Sequence, residues 1–267
     1  MTCATTPEAW KEVDEVFKNR WNLPHCVGAI DGKHVAIRKP KKSGSYYYNY
    51  KHLFSIVMLA VVDADYKFLY VDIGANGAGS DAGIFNDTEL KQALEDDKIG
   101  LPPPEPLPHD DQPIAYFIVA DDAFALKTWM MKPLPIMNMS VNQGIFNHRL
   151  SRARRVVENV FGILASRFRC LLGTMPQSPQ RVTDIALTCC VLHNLLRLRN
   201  TNNADILVDH DADHNHDEAN LPDNPTLHDM QEVYRGNANR AAKLQREYLI
   251  HYVNSELGSV HWQQDTI

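Results

Sequence analysis

The chain alternates between long apolar runs and amphipathic stretches, and that pattern predicts a mixed α/β order. Residues 7–20 place Trp10, Val13 and Phe17 on one face of a short helix, with Thr6 as its N-cap and Pro7 at its first position. Three strand-like runs follow at about 26–37, Leu53–Val62 and Lys67–Ile73, the last two joined by the turn Asp63-Ala-Asp65. A loop, Gly74 to Ser80, leads to a helix from Asp81 or Ile84 to about Asp96. Leu101–Pro108 reads as an extended linker, 115–120 as a fourth strand, and Ile136–Met139 as a further short one. Two helices then span about 148–168 and 179–198, and a last one covers 229–252. Strands followed by a helix, a strand and more helices make an α/β layout.

Carboxylates stand out against this pattern. Asp31 ends the run Cys26-Val-Gly-Ala-Ile30, and Asp121 ends Tyr116-Phe-Ile-Val-Ala120. An Asp-Gly pair is also a turn signal, and Asp121 or Asp122 could cap a following helix. Glu158 lies at the edge of the apolar arc of the long helix, made by Leu150, Ala153, Val157, Val160, Phe161 and Leu164. It also has an (i, i+4) partner in Arg154. Asp81 follows the glycine-rich loop, where it could cap the next helix. A buried carboxylate needs a cation, hydrogen bonds or a proton. Three that converge could hold two divalent cations and cleave a phosphodiester.

Composition changes the picture in one respect. The 267 residues are 44% hydrophobic and 22% charged, as expected of a globular protein, and no apolar run is long enough to span a bilayer. The amino terminus has no basic region followed by an apolar stretch, so no signal peptide is expected. Five cysteines without C-x-x-C spacing argue against a disulfide framework or a thiolate zinc site. The net charge of −6 speaks against nucleic acid, but its distribution reverses that. Residues 201–230 hold eight acids and no Lys or Arg, so removing them turns −6 into +2. Residues 34–51 carry Arg38, Lys39, Lys41, Lys42 and Lys51 without an acid, interleaved with tyrosines; 147–169 carry six arginines against Glu158. Lys39, Lys41, Lys42, Arg149, Arg152, Arg154 and Arg155 are candidate phosphate contacts. The histidines among the aspartates of 200–229 read as part of a loose tail, and His193 as a satisfied core histidine.

Taken in order, several stretches resemble the PIF/Harbinger transposases and the nucleases derived from them. They are Trp21-Asn-Leu-Pro-His-Cys-Val-Gly-Ala-Ile-Asp-Gly-Lys-His34, Gly44-Ser-Tyr-Tyr-Tyr-Asn-Tyr-Lys51, Phe54 to Asp63 and Gly79-Ser-Asp-Ala-Gly83. Ala120-Asp-Asp-Ala-Phe124, Phe146 to Gly162, Leu192-His-Asn194 and Gly258-Ser-Val-His-Trp-Gln263 complete the set. The resemblance implies an RNase H-like mixed sheet flanked by helices, carrying a DDE catalytic domain with a C-terminal helical extension. It puts the triad on Asp31, Asp121 and Glu158, with Asp81 as a further recurrent acid and metal candidate. The 37 positions from Asp121 to Glu158 suit the family spacing. It implies two Mg²⁺ or Mn²⁺ ions, a DNA substrate, and a nuclear location with the cytoplasm as alternative. The expected units are a remnant helix at 1–24, the nuclease domain at 25–200, an acidic His-rich linker at 201–228 and a helix with tail at 229–267. The family's helix-turn-helix-like leading region is expected to be missing here, which implies a Myb-like accessory protein. Two rivals stand beside this reading: a non-catalytic DNA- or protein-binding module with the same fold, and a metal-dependent phosphoesterase for a small substrate.

Overall fold

A computed structural model describes residues 4–199, 227–229 and 239–263. Its centre is a sheet of strands β1 (Cys26–Ala36), β2 (Ser55–Val62), β3 (Phe68–Asn76), β6 (Phe117–Val119) and β7 (Met130–Met131). The order is β3-β2-β1-β6-β7. The first three strands pair antiparallel, whereas β6 and β7 run parallel to β1 and to each other. A small ladder, β4 (Glu105–Pro106) with β5 (Pro113–Ile114), stands apart. Beyond the point where β6 ends, β8 (Leu227–Asp229) pairs antiparallel with Lys33–Val35 of β1. The rest of the expected linker at 201–228 lies outside the described residues.

Helices cover both faces, which is why β1 and β2 read as unbroken apolar runs rather than alternating ones. The face bearing Ala29, Val35, Phe117 and Val119 is covered by α4 (Val141–Arg167), α5 (Pro179–Arg199) and α6 (Arg240–Asn254). The face bearing Ile30, Leu59 and Ile118 is covered by α2 (Asp81–Asn86) and α3 (Glu89–Glu95), through Phe85, Leu90 and Leu94. Helix α1 (Pro7–Trp21) contributes Phe17 to the first cluster and Trp10 to the second. Both α1 and α6 therefore share the core of the sheet. The cap of α1 is as the sequence predicts: Thr6 Oγ1 accepts from Ala9 N, with Pro7 at the start. The turn Asp63-Ala-Asp65 also forms, with Asp63 Oδ1 accepting from the amides of Asp65 and Lys67.

Four expectations need correction. The helix expected at 148–168 begins at Val141, because Ser140 and Gln143 form a capping box that nucleates it earlier. The single helix expected from 81 to 96 is two, divided where Thr88 caps the second. No strand forms at 136–139, where Ile136 and Met137 lie exposed in a turn; the strand is at Met130–Met131 instead. The last helix starts at Arg240, not 229.

Side chains bonded to backbone lock the helices to the sheet. His193 Nε2 lies 2.7 Å from Tyr66 O, and Asn194 both accepts from Phe68 N and donates to Phe68 O at 2.8 Å. The Leu192-His-Asn194 motif thus clamps α5 to the β2–β3 hairpin.

Asp14 of α1 is buried, and burial pushes its carboxyl up to about 7 despite an amide bond from His25. Among the described residues its Oδ1 has no hydrogen-bond partner. The proton it takes on folding sets the sign. Its folded pKa exceeds the unfolded one, so stability falls as pH rises from about 4 through 7 and is flat above. Asp14→Asn keeps the acceptor and removes the charge. It is expected to be more stable than wild type above pH 7, by a few kcal/mol, and to match it near pH 4, as read from urea midpoints across that range.

Candidate active site

Strand geometry decides which acids meet. Asp31 is 5% exposed and lies inside β1, so the Asp-Gly turn reading is overturned: the strand runs on to Ala36. The pairing of β1 with β2 is unbroken from Ala29 to Ala36, so Asp31 and Lys33 share the face of Ala29 and Val35, under α4. Lys33 confirms this, its Nζ standing 5.9 Å from the centre of the Phe161 ring of α4. In the parallel pairing Ala29 is level with Val119. The ladder ends at that pair. Asp121 follows two residues on, and the alternation of β6 turns it to the face of α4, where the Arg154 guanidinium acts on it.

Burial pushes the Asp121 carboxyl above its ordinary range, the first of several causes. The Arg154 guanidinium pulls it back, as do the Ala123 amide, which donates to Oδ1 at 3.0 Å, and Lys132; Asp122 adds repulsion. Arg154 also binds Glu158, Nη1 to Oε1 at 2.7 Å, one turn along α4. One guanidinium therefore joins the acid of the helix to the acid of β6. Such an (i, i+4) pair, with Glu158 36% exposed, contributes only about 0.3–0.5 kcal/mol.

Asp81 stands elsewhere. It follows the cap of α2, which is Ser80 rather than Asp81. It is 1% exposed, and its Oδ1 lies 1.8 Å from where a Cβ on Gly32 would be. Gly32 alternates with Asp31, so Asp81 lies across the strand, on the face away from α4. Only glycine lets it approach.

The donors are all carboxylate oxygen, which suits Mg²⁺ or Mn²⁺. Among the described residues, no three of the His, Cys, Asp and Glu side chains stand close enough together to hold an ion. The structure thus turns Asp31 and Asp121 toward the face of α4, holds Glu158 on Arg154, and places Asp81 on the other side of β1.

Comparison with known proteins fits this arrangement. The family model described as "DDE superfamily endonuclease" matches residues 30–194, a stretch containing all four acids. The chain belongs to that family, in the branch derived from PIF/Harbinger transposases. The human protein named "Putative nuclease HARBI1" is 32% identical over 176 residues, 65% of this chain and 46% of its own length. "Protein ALP1-like" of Arabidopsis thaliana is 29% identical over 199 residues, 71% of this chain and 47% of its own. The chain spans about half the length of the curated relatives it matches. No solved structure matches.

Within this DDE-family chain the candidate cations divide. Arg149 is corrected from a DNA contact to a structural tie: it is 2% exposed, donates to Gly258 O at 2.6 Å and also to Asn22 O. Arg152 lies over the Trp262 ring, Cζ 4.0 Å from its centre. Arg155, Lys39, Lys41 and Lys42 are exposed. Two lysines beside the acids escape notice in the sequence. Lys33 has the parity of Asp31, a signal open to reading. Lys132 donates to Asp122 O at 2.7 Å and is partly buried, which lowers its pKa. It follows β7, a two-residue strand with no period to read, so no signal marked it.

Arg149→Ala removes two charged hydrogen bonds and leaves two carbonyls behind. It is expected to lower stability by about 3 kcal/mol, with a matching fall in the urea midpoint. An unchanged midpoint would return Arg149 to the surface cations.

Proposed function

We propose that the chain is a divalent-metal-dependent DNA endonuclease with an RNase H-like fold, Asp31, Asp121 and Glu158 forming its Asp-Asp-Glu triad. The observation that carries this reading is that Arg154 of α4 acts on Asp121, two residues beyond β6, and pairs with Glu158, on the side of the sheet to which Asp31 turns by alternation along β1. The strand order, three antiparallel strands followed by two parallel ones, supports the RNase H-like assignment. The "nuclease" in the names of the relatives points the same way. The nuclease domain of this reading covers 25–200, with α1 and α6 packed into the same core.

In this reading Asp31 of β1 and Asp121 just beyond β6 would hold Mg²⁺ or Mn²⁺, together with Glu158 of α4. Bound, such ions supply Lewis-acid polarisation of the phosphate and an activated water. The protein's own part is electrostatic and positional. Partial burial raises the cost of charge on Asp121, which a cation would offset. Arg154 holds Glu158 in waiting, in a pair weak enough for a stronger cation to displace. Lys33 and Lys132 place positive charge beside the acids, suited to the phosphate oxygens. Arg155, Lys39, Lys41 and Lys42 supply exposed cations for the flanking phosphates. Asp81 packs against Gly32 and shapes β1 from behind. The reading extends to a nuclear protein working with a Myb-like accessory factor.

The second reading is a non-catalytic DNA- or protein-binding module that keeps the fold. It is favoured by the engagement of Glu158 with Arg154 and by the spread of the acids.

Cleavage of labelled duplex DNA with Mg²⁺ or Mn²⁺ separates the two. Asp31→Asn and Glu158→Gln are each expected to lower cutting on the order of a thousandfold and to leave DNA binding intact. Folded wild type that binds DNA and cuts none of it decides for the module. In a salt titration, Arg155→Ala is expected to reduce the slope of log affinity against log salt by about one, if it holds one phosphate.

A further inference from the structure

The connection between β1 and β2 is far longer than the pairing needs. Ala36 is level with Ser55, an antiparallel end that roughly two to five residues can close, yet the chain travels through 37–54. Long excursions in compact domains are usually functional. This one is held firmly. Asn49 is 3% exposed; its Oδ1 accepts from the amides of Lys51 and Leu53, and its Nδ2 donates to Ser55 Oγ at 3.0 Å. Ser55 Oγ in turn lies 2.9 Å from Nδ1 of His34, a buried residue of β1. The glycine-rich loop after β3 closes on the same point. Gly77 N donates to Ser55 O, and a Cβ at Gly77 would stand 2.2 Å from Ser55 Oγ.

The outer face of this fixed loop carries aromatic rings. Tyr46 is 60% exposed, Tyr50 47% and Tyr48 39%. Cations surround them. Lys51 Nζ is 5.6 Å from the Tyr50 ring centre, Lys39 Nζ is 5.2 Å from that of Phe54, and Arg38, Lys41 and Lys42 are exposed nearby in the chain. No acid occurs from 34 to 51. Exposed rings among cations match a polyanion whose own rings are accessible. A duplex offers its phosphates but keeps its base faces stacked within. A single strand offers both, and aromatic side chains with positive grooves are the general means of binding it.

We propose that the loop 38–54 is a stacking platform for unpaired bases of DNA, with Tyr46 and Tyr50 as the rings and Lys39, Lys41, Lys42 and Lys51 on the phosphates. It rests on the reading of DNA as substrate. The Tyr50 ring stands 5.9 Å from that of His34, three residues or about 10 Å along β1 from Asp31 and on the opposite face by alternation. It therefore holds an unpaired segment flanking the cleavage point rather than the scissile bond.

The test is fluorescence anisotropy of the full chain in chelator, with an end-labelled short single strand and the same strand bearing central abasic sites. Both oligonucleotides have the same phosphates. Wild type is expected to bind the intact strand about tenfold more tightly. Tyr46→Ala with Tyr50→Ala is expected to abolish that difference, and Tyr46→Phe with Tyr50→Phe to keep it, since the π-face remains. Equal binding of both strands by wild type overturns the platform. Binding of neither also overturns it and leaves the face to a protein. Metal-dependent cutting of duplex without abasic discrimination would sink this proposal alone. Discrimination without cutting would sink the nuclease reading and leave the platform standing.

Discussion

The arrangement of the acids depends on one register, the parallel pairing that sets Ala29 level with Val119. Two residues further on, the same alternation carries Asp31 and Asp121 to the side that α4 covers. A one-residue slip of either strand would send its acid to the opposite face, against α2 and α3. The register is enforced by burial on both faces. Phe117 and Val119 must enter the cluster with α4, while Ile118 and Ala120 must enter the other. No one-residue slip satisfies both, so packing remote from any chemistry fixes which face the carboxylates take. The short length of β6 matters too. It leaves β1 after Val119, and the edge beyond is taken up by β8 at Lys33–Val35.

A second layer of order comes from polar side chains that satisfy backbone groups across elements. Arg149 ties the end of α1 and the segment at Gly258 to α4, through Asn22 O and Gly258 O. His193 and Asn194 tie α5 to the turn after β2 and to β3. Gln245 donates to Ala115 O and Thr128 O, pinning α6 beside β6 and β7. These bonds use donors that the helices present inward, where an unpaired carbonyl would be costly. They explain why α1 and α6 belong to the core rather than hanging from it as additions.

Much of this was legible in the chain. The apolar runs mark β1, β2 and β3, and Thr6-Pro7 marks α1, because these signals are local and strong. The helix of Glu158 and its Arg154 partner follow from spacing alone. What escaped has specific causes. A two-residue strand such as Met130–Met131 has no period, so the alternation test fails on it. The start of α4 at Val141 is polar, and only the Ser140–Gln143 pair announces it. Arg149 was grouped with its neighbours by charge, though it sits four residues before Ala153 and eleven before Val160, on the buried stripe of the wheel. Position on the helix outranks charge when the guanidinium can reach carbonyls. Asp81 could be read as a cap or as a ligand. Its contact with Gly32 depends on a crossing of loop and strand that no local pattern contains.

The electrostatics of the α4 face then have a definite direction. Burial raises the cost of charge on Asp121, and Arg154 and Lys132 meet part of it. Arg154 is shared with Glu158, so the guanidinium is a common counter-ion for helix and sheet. A pair of this kind in partial solvent is worth a few tenths of a kcal/mol. In the proposed nuclease a divalent cation, which sheds its water reluctantly, would have to gain more than that from the carboxylates to replace the guanidinium. Freed by that exchange, Arg154 would remain one helical turn from Glu158, at the distance where a phosphate oxygen is the natural new partner for its fork of donors. In the proposed nuclease, the residue that stabilises the resting acids would thus also suit the substrate phosphate.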